Sequence, residues 1–199
     1  QQIELNLQPA FLLGVRPCDV KSFEIMDIHF NAAGIIDPYW KARRENTTII
    51  GYAFDLDAPV DQADFYNTLG IGAADPQSSD IFMVKRGNEL LLKGITEKGE
   101  ALLRELSVLS EGNDENEKYF ADYVQRGREK RTRCMPLNDE EVAKKYEDIF
   151  ENNDYWTKVS DACLSCGVCT FVCPTCYCFD ICDENLFSNG TRRRVWDAC

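Results

Sequence analysis

Seven cysteines lie within the twenty-two residues CLSCGVCTFVCPTCYCFDICDE at positions 163–184, in a chain that has ten cysteines in all. A small secreted domain held by disulfides spreads its cysteines along the chain, but residues 19–133 of this sequence contain none. Such clustering favours metal coordination by thiolates. Because thiolate ligands persist where disulfides do not form, the pattern predicts a cytoplasmic protein.

The first four of these cysteines have the spacing C-x2-C-x2-C-x3-C, and a proline follows directly: Cys163, Cys166, Cys169, Cys173 and Pro174. Bacterial-type ferredoxins hold iron–sulfur clusters with this run. A loop with a thiol at every third residue can surround a compact cube of iron and sulfide. Structural zinc sites instead use two C-x2-C pairs separated by a dozen or more residues. The overlapping pairs therefore predict a [4Fe-4S] cluster, with a structural zinc-binding assembly module as an alternative.

The fourth cysteine of such a run, here Cys173, ligates the second cluster in two-cluster ferredoxins. The chain contains no second run to complete that cluster. We therefore expect the polypeptide to continue beyond Cys199 and to supply it. The alternative is that the missing sulfurs come from Cys176, Cys178, Cys182 or Cys199.

The composition predicts a globular chain with a packed core, because 44% of the 199 residues are hydrophobic. Against 22 Lys and Arg stand 34 Asp and Glu, a net charge of −12, which argues against nucleic acid as a partner. No apolar run reaches the roughly 18 to 20 residues of a membrane helix, so we expect no membrane span. The sequence opens on Gln1 and stops on Cys199. We expect it to be incomplete at both ends.

The first part of the chain has the pattern of an α/β domain. The apolar run at 10–15 predicts a strand, Pro17 begins a helix that Gly34 would end, and residues 37–45 and 47–54 predict a second helix and a buried strand. This order suggests a parallel strand pair. Residues 81–95 then predict a hairpin around Gly87 and Asn88.

A helix follows the predicted hairpin, with one apolar face that runs from Leu102 to Leu109. Polar residues 110–116 predict a linker, and two more helices are expected near 115–130 and 139–151. The second of these begins with Asn138 and Glu141 in capping-box spacing. It should bury Val142, Tyr146, Ile149 and Phe150. The overall prediction is an α+β or α/β chain in three parts: an α/β domain at 1–111, a helical connector at 112–155 and a ferredoxin-like iron–sulfur segment at 156–199.

Four stretches resemble one known family: GVRPCDVKSFEIMD at 14–27, DPYWKARRENTTIIGYA at 37–53, CLSCGVCTFVCPTCYCFD at 163–180 and RRRVWDAC at 192–199. Together they are similar to the iron–sulfur beta subunits of sulfhydrogenase-type NiFe hydrogenases and to the related A subunit of anaerobic sulfite reductase. The resemblance covers most of the chain.

The resemblance implies a two-cluster [4Fe-4S] electron carrier that links a flavin or NAD(P)-binding subunit to a hydrogenase or reductase catalytic subunit, and that is not itself catalytic. It assigns ligand roles to Cys163, Cys166, Cys169 and Cys173. The same resemblance matches Cys176, Cys178 and Cys199 to family cysteines without fixing their role. It also implies that the second cluster run lies downstream of Cys199.

The sequence departs from the family pattern near its start. The family that this sequence resembles has four cysteines in its first part. Only Cys18 matches one of them here, and Phe54 and residues 64–66 stand where the other three would be. We predict that Cys18 is a thiol packed at the start of a helix. A second hypothesis is an FAD-containing beta subunit like those of deazaflavin-reducing hydrogenases, for which GIGAAD at 70–75 is an incomplete dinucleotide loop.

Overall fold

The computed structural model describes residues 7–61, 63–130 and 138–197. The chain forms two compact units, Gln1–Leu137 and Asn138–Cys199. Among the described residues, no helix combines the length and the apolar character that crossing a bilayer requires. The boundary between the units falls inside the predicted helical connector, and the proposed three-part division stays a prediction.

The first unit contains a four-stranded sheet in the order β1-β2-β3-β4. The strands are β1 (Ala10–Val15), β2 (Thr47–Tyr52), β3 (Ile81–Arg86) and β4 (Glu89–Gly94). β1 and β3 both pair with β2 in parallel, and β4 pairs with β3 antiparallel. The predicted parallel pair and the predicted hairpin are therefore both present, joined in one mixed sheet.

Two helices connect β1 to β2. The helix α1 (Pro17–Phe30) begins with a proline at its first turn, and Val20 and Met26 on its inner face are buried. It ends at Asn31, before the predicted stop at Gly34, which lies in a short 3-10 turn with a positive φ of 77°. The helix α2 (Pro38–Asn46) is capped by Asp37, whose Oδ1 accepts a hydrogen bond from the Trp40 amide at 2.8 Å.

The hydrophobic core of this unit lies between the sheet and a later helix. Phe82 and Val84 of β3 are fully buried and pack with Phe120 and Tyr123 of α4 (Asp114–Glu129). The Tyr123 hydroxyl donates to the Phe54 carbonyl at 3.0 Å and accepts from the Leu56 amide at 3.3 Å. The first helix of the predicted connector is thus part of the core of the first unit.

The helix α3 (Glu97–Glu105) is shorter than the sequence predicted. Thr96 caps it by accepting a hydrogen bond from the Gly99 amide at 3.2 Å. The chain leaves the helix at Leu106, so Leu109 is not on the helical face that its spacing suggested. The apolar spacing was right for two turns, but the following residues form turns instead of continuing the helix.

The second unit contains three helices and a hairpin: α5 (Asp139–Phe150), α6 (Asn153–Ser160), α7 (Val168–Val172), β5 (Phe179–Leu186) and β6 (Asn189–Trp196). Asn138 caps α5 by accepting from the amides of Glu140 and Glu141, as the sequence indicated. The prediction that α5 buries its apolar face was wrong. Val142, Tyr146 and Phe150 are 44%, 54% and 59% exposed, because no other described element of this unit covers that face.

Candidate iron–sulfur site

The predicted ligand run occupies an exposed loop and the short helix α7. The loop begins after α6, where the Cys163 amide donates a hydrogen bond to the Ser160 carbonyl at 2.8 Å. Ser165 and Gly167 then adopt positive φ angles of 52° and 71°. Two left-handed residues this close together turn the chain sharply, and Gly167 does so without a Cβ penalty.

Gly167 also begins α7. Its carbonyl accepts hydrogen bonds from the Phe171 amide at 3.0 Å and from the Thr170 hydroxyl at 2.8 Å. Cys169 lies within this helix and Cys173 caps its end. The four predicted ligands therefore occupy three local settings: two in the loop, one in the helical turn and one where the chain leaves that turn at Pro174.

Local hydrogen bonds reach two of the four sulfurs. The Ser165 amide donates to Cys163 Sγ at 3.4 Å, and the Thr175 hydroxyl lies 3.3 Å from Cys173 Sγ. The contact with Thr175 is the largest cause that lowers the pKa of the Cys173 thiol, followed by a contact with the Cys176 side chain. A lowered pKa favours the thiolate, which is the form that binds metal.

The donor chemistry of the run fits an iron–sulfur cluster. All the cysteines among the described residues are free thiols, and Cys163, Cys166 and Cys169 are exposed while Cys173 is half-buried. Within the ranges that the structure describes, however, no three Cys, His, Asp or Glu side chains lie close enough together to hold a metal ion. The structure brings Cys173 beside Cys176, and it does not gather the four predicted ligands around one point.

The cysteines downstream of the run differ in their surroundings. Cys176 and Cys178 lie between α7 and the hairpin, and their carbonyls accept hydrogen bonds from Trp196 Nε1 at 3.3 Å and from the Asp197 amide at 3.0 Å. These bonds tie the end of β6 to the cysteine segment. Cys182 is exposed on β5, opposite Arg193 of β6. Cys199 lies outside the described residues.

Sequence reasoning missed the hairpin that follows the cysteines. Its three arginines have partners within the hairpin: Arg192 contacts Asp183 through two hydrogen bonds of 2.7 and 2.8 Å, Arg193 pairs with Glu184 at 3.0 Å, and the Arg194 guanidinium lies 4.1 Å from the Phe179 ring centroid. The sequence contains a signal for this hairpin, because the acidic residues Asp180, Asp183 and Glu184 are separated by a short turn from the basic residues at 192–194.

Cys18 lies at the start of α1 in the first unit, as predicted. It is half-buried and packs against a small cluster that contains Tyr66, Ile71 and Ala73, with Phe54 beside it. Burial is the largest cause that raises the pKa of its thiol, and the neighbouring Asp19 charge adds to it. The structure therefore surrounds Cys18 with apolar and aromatic groups.

The segment GIGAAD at 70–75 packs inside the first unit. Ala73 and Ala74 have no exposed surface, the Ala73 amide donates to the Gly127 carbonyl at 2.9 Å, and the Ala73 carbonyl accepts from the Phe54 amide at 2.9 Å. Backbone groups that are engaged within the protein do not cradle a phosphate. Residues 70–75 therefore form part of the surface on which α4 packs, and the hydrogen bonds of their backbone do not support the FAD hypothesis.

Part of the chain matches a known protein family, and most of the chain is similar to a curated protein. Residues 162–199 match the family described as a 4Fe-4S dicluster domain. Over 192 residues the chain is 30% identical to sulfhydrogenase 2 subunit beta of Pyrococcus furiosus, an alignment that covers 94% of this chain and 54% of the relative. The resemblance predicted from the motifs is confirmed. No solved structure matches the chain.

The chain spans about half the length of the curated relative it matches. The helices and the mixed sheet confirm the predicted α+β chain, and the family match places a 4Fe-4S segment near its C-terminal end. The match begins one residue before Cys163 and includes every cysteine of the run.

Proposed function

We propose that the protein is a non-catalytic iron–sulfur subunit that carries electrons inside a multisubunit redox complex of the hydrogenase or sulfite reductase type. The observation that carries this proposal is the run Cys163 to Cys173, which lies in a segment that matches a 4Fe-4S dicluster domain. The similarity to a sulfhydrogenase beta subunit supports the same assignment. In this role the protein passes electrons between a flavin or NAD(P)-binding subunit and a catalytic subunit, in the cytoplasm.

The ligands proposed for the first cluster are Cys163, Cys166 and Cys169, and Cys173 is proposed to hold a second cluster in the full-length protein. When bound, a [4Fe-4S] cluster accepts and donates single electrons. The chain's own contribution is local: the left-handed turns at Ser165 and Gly167 reverse the loop, and the Ser165 amide donates toward sulfur. Residues 156–199 would form the first half of this two-cluster domain.

The location of the loop suits electron exchange with a partner. Leu164 in the loop is 90% exposed, and Val168, Phe171 and Val172 of α7 are 56%, 78% and 66% exposed. Electron transfer requires that a cluster come close to the next carrier, so an exposed ligand loop favours docking at this surface.

The proposal is tested by anaerobic purification of the full-length protein, with iron, sulfide and zinc measured together. We expect about four irons and four sulfides per cluster and no stoichiometric zinc. Replacement Cys166→Ala should lower the iron content by about one cluster and remove the paramagnetic signal of that cluster when reduced. The matched control is Cys182→Ala, because Cys182 is an exposed cysteine of the same segment to which this proposal assigns no ligand role. The Cys182→Ala replacement should leave the iron content and the paramagnetic signal unchanged.

Three results would contradict the assignment. Stoichiometric zinc without visible absorbance would make the segment a structural zinc module. A yellow flavin released on denaturation would favour the FAD hypothesis. An unchanged signal in the Cys166→Ala protein would show that the ligands are misassigned. The partner subunits are identified by purifying the native complex anaerobically and sequencing the chains that accompany it.

A further inference from the structure

A groove of about 680 Å³ runs along the outer edge of β4 in the first unit. Its lining includes all six residues of β4. Successive side chains of a strand point to opposite faces of the sheet, so a groove that touches every one of them follows the edge of the strand. The opposite wall consists of residues 108–110, Gly112 and the first turns of α4, and Phe120 contributes the aromatic part of the lining.

The edge of β4 presents backbone hydrogen-bonding groups to this groove. β4 is the last strand in the sheet order, so one row of its amides and carbonyls points away from β3. The turn between β3 and β4 has two residues, so Arg86 and Glu89, which flank it, form a hydrogen-bonded pair. Along an antiparallel ladder, hydrogen-bonded pairs alternate with pairs whose backbone groups point away from the partner strand. The backbone groups of Leu90, Leu92 and Gly94 are therefore the ones that point outward.

The walls of the groove combine apolar surface with negative charge. Leu90, Val108 and Leu109 are 52%, 86% and 39% exposed. Three glutamates line the groove, at positions 89, 100 and 117, against one lysine. That lysine, Lys93, has its ammonium 5.6 Å from the Phe120 ring centroid. Glu100 has an exposed ion pair with Arg104 at 3.7 Å, which screens it only weakly.

We propose that this groove binds an extended segment of a partner protein in which apolar side chains alternate with lysine or arginine. The segment would pair with the outward backbone groups of β4 and add a fifth strand to the sheet, a common mode of peptide recognition. The glutamates select cationic side chains by charge complementarity. A second copy of this chain is a poor occupant, because it would bring the same acidic walls together and each chain carries a net charge of −12.

The test uses the full chain and a synthetic six-residue peptide that alternates lysine with valine, matched to the six residues of β4. Binding is measured by titration, and amide hydrogen exchange is followed by NMR. We expect the peptide to slow exchange at Leu90, Leu92 and Gly94. The amides of Leu91 and Lys93 should not change, because they already bond to β3 in the paired register. A fully N-methylated peptide, which lacks backbone donors, should not bind.

Charge selection is tested with variants that keep the fold. Because exposed ionic contacts are weak, Glu89→Gln and Glu117→Gln should each raise the Kd of the lysine peptide about two- to fivefold. The matched control, Glu147→Gln, lies on the exposed surface of α5 in the second unit and should leave the Kd unchanged. A peptide that alternates glutamate with valine should bind far more weakly than the lysine peptide.

Four outcomes would overturn the proposal. The first is absence of binding by the lysine peptide, and the second is equal binding of the acidic and basic peptides. The third is binding that leaves exchange at Leu90 and Leu92 unaltered. The fourth is protection of these amides that rises with protein concentration when no peptide is present, which would assign the edge of β4 to self-association.

Discussion

Replacing Gly127 with alanine sets helix propensity against tertiary packing at one position. Gly127 lies within α4, where alanine is normally more stable than glycine by about 1 kcal/mol. A Cβ at this position would lie 2.5 Å from the Ala74 Cβ and 2.7 Å from the Ala74 amide nitrogen. These separations are about 1 Å shorter than ordinary contact distances, which are about 3.5 to 4.0 Å for carbon pairs.

We expect the Gly127→Ala substitution to destabilise the protein. Overpacking of a tight contact costs about 1 to 3 kcal/mol, and here one of the two neighbours is backbone that cannot rotate away. Moving α4 outward would also lengthen the bond from the Ala73 amide to the Gly127 carbonyl, now 2.9 Å, which contributes about 1 kcal/mol. After subtracting the gain in propensity, we expect Gly127→Ala to lower the free energy of unfolding by about 1 to 3 kcal/mol.

The measurement is urea unfolding of the wild-type and variant proteins followed by circular dichroism. Asp122→Ala is the matched control, because Asp122 is exposed on the same helix and reports helix propensity without a close contact. It should be neutral or slightly stabilising. Adding Ala74→Gly to the Gly127→Ala protein removes the contact with the Ala74 Cβ, which is the closer of the two, and should recover part of the loss. A Gly127→Ala protein more stable than wild type would refute the close packing of α4 on residues 70–75.

Other predictions follow from single contacts in the first unit. Tyr123→Phe should lower the free energy of unfolding by about 1 to 3 kcal/mol in urea titrations, since it leaves the Phe54 carbonyl and the Leu56 amide without their hydroxyl partner; no loss would show that water replaces the hydroxyl. Burial raises the pKa of Tyr123 above its ordinary value of about 10, so the tyrosine contributes stability that is complete below that pH and decreases as the pH rises above it. Thermal unfolding followed across this alkaline range, with Tyr123→Phe showing a smaller decrease, checks the sign. The Cys18 thiol, whose pKa burial raises, should react with iodoacetamide more slowly than the exposed Cys182 thiol, as measured by mass spectrometry; equal rates would contradict the packing around α1.

The sequence predicted the elements whose signals are local. Pro17 at the first turn of α1, the side-chain cap at Asn138 and the two-residue turn of the β3–β4 hairpin appear in the structure where the residues indicated them. The spacing from Cys163 to Cys173 likewise indicated an iron–sulfur segment, and the matched family agrees. These features depend on residues within a few positions of one another, so their information is present in the chain before it folds.

The tertiary structure decided the features that depend on distant residues. GIGAAD resembles a phosphate loop by composition, but the Ala73 amide bonds to the Gly127 carbonyl and the Ala73 carbonyl to the Phe54 amide. Both partners are distant in the chain from this loop. The apolar spacing of α5 predicted a buried face, yet burial requires a second surface, and none of the described elements of that unit supplies one. The edge of β4 became a groove only because the chain returns to it after α3. Spacing determines which side chains share a face, whereas packing determines what that face meets.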